Sequence, residues 1–166
     1  MNPMDRTTSE IFLHPGQTFF GECGFHIGTL LGSCVAICIW HPMQRIGGMC
    51  HYVLPTNSAD SHHQLNGRYG SDAIQILEHE AKLRGTRLPE YHGSIFGGGD
   101  VVEALSGTQR PSIGSQNAGF AMEILLYKNV PVLVADVGEK WSRRISMDLS
   151  TGLVAVKRQG SIPLAV

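Results

Sequence analysis

The sequence predicts an α+β fold. Apolar runs of strand length outnumber the helical patterns, and the two helical patterns interrupt the strands instead of alternating with them. Turn clusters such as His14-Pro15-Gly16 separate neighbouring strands, whereas a doubly wound parallel sheet needs a regular strand–helix alternation. The 166 residues, 42% of them hydrophobic, suffice for one buried core and are too few for two full-sized domains. No repeat, linker or low-complexity tract divides them. Residues 1–10 are expected to form a flexible N-terminus and residues 11–166 a single domain.

The elements follow in order. Ile11-Phe12-Leu13 and Phe19-Phe20 read as short strands on either side of the His14-Pro15-Gly16 turn. Val35 to Trp40, a turn at His41-Pro42-Met43-Gln44, and Arg45 to Leu54 read as strand, turn, strand. The stretch Thr56 to Asn66 is polar and loop-like, with His62-His63 expected in solvent. Ser71 is a candidate cap for a helix in which Ala73, Ile74, Leu77 and Ala81 share a face, and Gly85 is its stop. Gly93 to Asp100 reads as a strand ending in glycines. Gly114-Ser115 opens a second helix with Ala118, Ala121, Met122, Leu125 and Leu126 as its apolar stripe. Val130 to Val137 shows little alternation, as expected of a strand buried on both faces. Arg144 to Leu149 and Leu153 to Lys157 flank a turn at Ser150-Thr151-Gly152 and form a second hairpin.

Composition narrows the function. Thirteen Lys+Arg against fourteen Asp+Glu give a net charge of -1, so no basic excess draws the chain to nucleic acid. No apolar run approaches the roughly 20 residues of a membrane span, so membrane insertion is not expected. Four cysteines, Cys23, Cys34, Cys38 and Cys50, are too sparse for a disulfide framework; free thiols in the cytoplasm are expected.

Chemistry concentrates in the first hairpin. With His41 to Gln44 as its loop, Trp40 faces Arg45 and Cys34 lies directly opposite His51, on one face. An imidazole beside a thiol can take its proton and make a nucleophile. Thr29-Leu30-Leu31-Gly32-Ser33 before it adds a hydroxyl able to fix the imidazole tautomer and a glycine that admits close backbone approach. The amides around Ser33 and Cys34 are candidate oxyanion donors.

The competing reading is a cysteine in a buried strand, the assignment given to Cys38, which shares the face of Cys34 and has no base nearby. Zinc fits poorly, because no C-x-x-C pair exists and Cys50 faces away from His51; a Cys34–Cys50 disulfide fails for the same reason. Gly97-Gly98-Gly99-Asp100 carries no phosphate-loop continuation, so a turn or close backbone packing is expected there. No G-x-S-x-G elbow is present. Neither metal nor cofactor is expected.

Thr29-Leu30-Leu31-Gly32-Ser33-Cys34-Val35-Ala36, Gly47-Gly48-Met49-Cys50-His51 and Leu54-Pro55 resemble the signature of CheD, the chemoreceptor glutamine deamidase family. The resemblance continues through Tyr69, Asp72-Ala73-Ile74, Ile95-Phe96-Gly97-Gly98, Gly114 with Asn117, Asp136-Val137-Gly138, Arg143-Arg144 and Thr151-Gly152. It implies a three-layer α/β/β arrangement, a β-sandwich with helices packed on one side. It also implies a cysteine hydrolase that converts glutamines of methyl-accepting chemoreceptors to glutamate and ammonia, with Cys34 as nucleophile, His51 as base and Thr29 as supporting hydroxyl. Gly32 and Ser33 are candidates for substrate and oxyanion contact. A CheC-type chemotaxis phosphatase is an implied partner, and docking on it with little catalysis is the alternative function.

Overall fold

The computed structural model describes residues 8–58, 64–100 and 111–160. Within them lie strands β1 (Ser9–Leu13), β2 (Thr18–Glu22), β3 (Phe25–Leu31), β4 (Val35–His41) and β5 (Ile46–Tyr52), then helix α1 (Gly70–Leu83), a 3-10 turn at Leu88–Glu90 and strand β6 (His92–Gly97). Helix α2 (Ile113–Tyr127) and strands β7 (Val132–Val137), β8 (Trp141–Asp148) and β9 (Val154–Gly160) complete the order. The strands form a four-stranded sheet, β1-β3-β8-β9, and a five-stranded sheet, β2-β5-β4-β6-β7.

Two apolar cores make three layers. Val35, Ile37, Ile39, Cys50 and Tyr52 pack with Ala73, Ile74 and Leu77 of α1 and Ala121 and Leu125 of α2. On the opposite face, Ala36, Cys38, Met49 and Phe96 pack with Ile27, Leu31, Ile145 and Met147 of the four-stranded sheet. The five-stranded sheet is therefore covered by helices on one side and by the second sheet on the other, as the predicted three-layer arrangement requires. β4 and β5 are buried almost throughout, which explains their unbroken apolar text.

Several expectations are corrected. β3, at Phe25–Leu31, escaped the sequence reading; Gly28 and His26 mask its inward alternation of Ile27, Thr29 and Leu31. β1 begins at Ser9, inside the stretch expected to be flexible; residues 1–7 and His62-His63 lie outside the described residues. α1 is capped at Tyr69 without a side-chain bond, and Ser71 instead accepts from the Asn57 amide, while Gly85 past the helix end has φ +73° as expected. Ser112 caps α2 by accepting from Ser115 N; Met122 and Leu126 of the expected stripe are exposed. β7 is an edge strand whose Leu133 and Val134 are exposed, not a strand sealed on both faces.

The first hairpin is shifted by two residues. His41 pairs with Ile46 and Ala36 with His51, so the loop is residues 42–45. The cause is His41 itself. Its Nδ1 accepts from Met43 N at 3.2 Å and Gln44 N at 3.1 Å, its carbonyl accepts from Arg45 N, and Arg45 takes φ 51° to close the turn. Cys38 is buried opposite Met49, as expected of a core thiol.

Candidate active site

The site is built where the two sheets meet. A two-residue shift leaves side chains on their original face, so Cys34, two residues before Ala36, still shares the face of His51. The two are diagonal neighbours and not directly opposed, about 7 Å apart by ordinary sheet geometry. Cys34 is half-buried against the inter-sheet core.

His51 is sealed into the same layer at 2% exposure. Its Nδ1 lies 2.7 Å from Thr29 Oγ1, which reaches across from β3 of the other sheet and is fully buried. The tautomer follows from proton counting. Thr29 donates its one hydroxyl proton to Leu13 O at 2.7 Å, because a carbonyl can only accept. Thr29 must then accept from His51, so Nδ1 carries the proton and Nε2 presents a lone pair. That Nε2 is buried and has no hydrogen-bond partner among the described residues, Cys34 Sγ included.

The charge states are those of a protonated thiol beside a neutral imidazole. Burial pushes the Cys34 thiol above its ordinary value, with the Arg68 guanidinium pulling the other way. Burial, aided by His14, holds the His51 imidazole down to about 4. The thiol is thus not ionised at rest, and the His51 imidazole on its face of the sheet is neutral.

The loop before β4 is fixed by its carbonyls. Gly32 O accepts from Gly99 N at 2.9 Å, Cys34 O from Gly98 N at 2.8 Å, and Ser33 O from Asn117 Nδ2 at 3.0 Å. Among the described residues no bond outside the strand ladders is donated by the Gly32, Ser33 or Cys34 amides. The glycine run after β6 is thus close backbone packing, as expected. A Cβ on Gly97, at φ +107°, would collide with the Cys34 carbonyl oxygen, and only glycine meets both demands.

The structure brings Thr29, Cys34 and His51 to one inter-sheet corner with Gly32 and Ser33. Cys50 lies in the other core, on the helix side of the sheet, so it joins no ligand set with Cys34. The sequence reading left Asn117 and the Leu13 carbonyl without a role; a main-chain acceptor leaves no mark in residue types.

A family model described as CheD chemotactic sensory transduction matches residues 53–158. The chain belongs to the CheD family. Its relatives include the "Probable chemoreceptor glutamine deamidase CheD 3" of Dechloromonas aromatica (strain RCB), 38% identical over 143 residues that cover 86% of this chain and 84% of that protein. The "Probable chemoreceptor glutamine deamidase CheD" of Pseudomonas fluorescens (strain SBW25) is 37% identical over 154 residues, 92% of this chain and 86% of that one. That of Pseudomonas syringae pv. tomato (strain ATCC BAA-871 / DC3000) is 38% identical over 151 residues, 90% and 89% of the two. The CheD match begins just past His51, so Thr29, Cys34 and His51 precede it while Gly97 to Gly99 and Asn117 lie inside it.

Proposed function

We propose that this CheD protein is a chemoreceptor glutamine deamidase that acts in the cytoplasm, with Cys34 as nucleophile, His51 as general base and acid, and Thr29 as the hydroxyl that holds the imidazole. The observation that carries the reading is the hydrogen-bond order Leu13 O, Thr29 Oγ1, His51 Nδ1, which leaves Nε2 unprotonated on the face shared with Cys34. The substrate class comes from the relatives' names.

The chemistry needs no metal or cofactor. Cys34 Sγ attacks the glutamine carboxamide carbon as its proton passes to Nε2. Nε2 returns that proton to the nitrogen as the C–N bond breaks, releasing ammonia and leaving a thioester. Water then loses a proton to Nε2 and adds to the thioester; the C–S bond breaks and the thiolate regains the proton. Glutamine and water become glutamate and ammonia. Amides of the residue 32–34 loop, whose carbonyls are all engaged, are the proposed donors to the oxyanion.

Intact mass of chemoreceptor cytoplasmic fragments tests this. A gain of about one dalton per site with ammonia release is expected from wild type; equal activity in Cys34→Ala refutes the mechanism. A second reading, docking on a CheC-type phosphatase, draws on the exposed row Met122, Leu126 and Tyr127 of α2. Co-sedimentation with Cys34→Ala separates the two, since docking survives that change.

A further inference from the structure

We propose that Asn117 is the positioning residue that sets the Cys34 loop against the strand carrying His51. The kinetic part of this proposal rests on the deamidase reading; the geometric part does not. Asn117 lies in the second turn of α2 and is fully buried. Its Nδ2 donates twice, to Ser33 O at 3.0 Å and to Val53 O at 2.8 Å. Ser33 immediately precedes the nucleophile. Val53 lies two residues beyond His51 and, continuing the β4–β5 register, opposite Cys34. One nitrogen therefore spends both its protons across the gap between the two reactive segments.

The residue type follows from that task. A hydroxyl has one proton to give and an ionised carboxylate none, so a carboxamide is the neutral side chain of this reach with two donors on one atom. The helix is held at the same place by its backbone, because Tyr52 Oη donates to Asn117 O, and Tyr52 stands between His51 and Val53. The arrangement has a cost. Asn117 Oδ1 is buried with no hydrogen-bond partner among the described residues. A purely apolar contact would avoid that penalty, so the donors must serve a purpose that packing cannot.

Asn117→Asp is the informative variant, since it keeps the shape and turns both donors into acceptors that face carbonyl oxygens. Against a receptor fragment, kcat is expected to fall roughly 10- to 100-fold with KM within about threefold, as for a misplaced reactive group. Partial recovery is expected below about pH 6, where protonation returns one donor, a rise that wild type lacks. Asn117→Ala should match the loss without that recovery. Asn117→Ser, with one donor, should fall between and serves if Asn117→Asp does not fold. Alkylation of Cys34 by iodoacetamide, followed by intact mass well below the melting temperature, should be faster in all three as the loop loosens.

The proposal is overturned if folded variants keep kcat within twofold, if KM rises at constant kcat, or if the alkylation rate is unchanged. Should wild type release no ammonia, the deamidase reading fails while the alkylation rates still decide whether Asn117 clamps the loop.

Discussion

In the proposed mechanism Thr29 and His51 act through one shared proton. Thr29→Val keeps the volume, but leaves His51 Nδ1–H without its acceptor and takes a hydroxyl donor from Leu13 O. A loss of about 1 to 3 kcal/mol in urea unfolding is expected, together with slower ammonia release; Thr29→Ser should restore both. Because burial holds His51 down to about 4, the imidazole stays neutral through mild acid. The acid limb of kcat/KM is then expected near pH 4 and not near 6.5. Stability follows the same depressed value. Between 6.5 and about 4 the unfolded chain binds a proton that the folded chain refuses, so stability falls as pH drops through that window, by roughly 3 kcal/mol in full. Urea titrations at both ends of the window should show this slope in wild type and its loss in His51→Gln.

At the scale of elements, the glycine turn at the end of β6 is the support under Cys34, the proposed nucleophile. Gly97→Ala forces a Cβ at φ +107° into the Cys34 carbonyl, and Gly98→Ala drives one to 2.6 Å of Gly114 O. Each should cost about 2 kcal/mol or more and lower the melting temperature, with Gly97→Ala also slowing deamidation. Legibility in the sequence divides along similar lines. The buried strands β4 and β5, the two helices and the late hairpin were readable because their apolar patterns are long and periodic. The face shared by Cys34 and His51 was readable because a two-residue error in register conserves it. The register itself was not, since the His41 ring accepting two loop amides has no signature in residue type. β3 hid behind Gly28, and β7 misled because an apolar edge strand spells the same as a buried one.

For the molecule as a whole, the two sheets are tied at their open side by Asp136 of β7, which accepts from Arg143 Nε at 2.9 Å and from Arg158 Nη2 at 2.7 Å. These two guanidinium groups hold the Asp136 carboxyl below the usual carboxylate range despite partial burial. A depressed carboxyl stabilises the fold above its unfolded value, and that contribution fades as pH falls through the folded one. Arg143 is buried and also reaches the Gly97 and Gly138 carbonyls, whereas Arg158 is exposed. Arg143→Met is therefore expected to lose about 2 to 3 kcal/mol in thermal or urea unfolding, whereas Arg158→Ala should leave the midpoint nearly unchanged. The bond from Thr29 to His51 has a further consequence, because it spans the two layers of the sandwich. A chain with only the five-stranded sheet formed carries Cys34 and His51 on one hairpin, but lacks the hydroxyl that fixes the imidazole tautomer. A single defined tautomer of His51 is thus reached only when both layers are assembled.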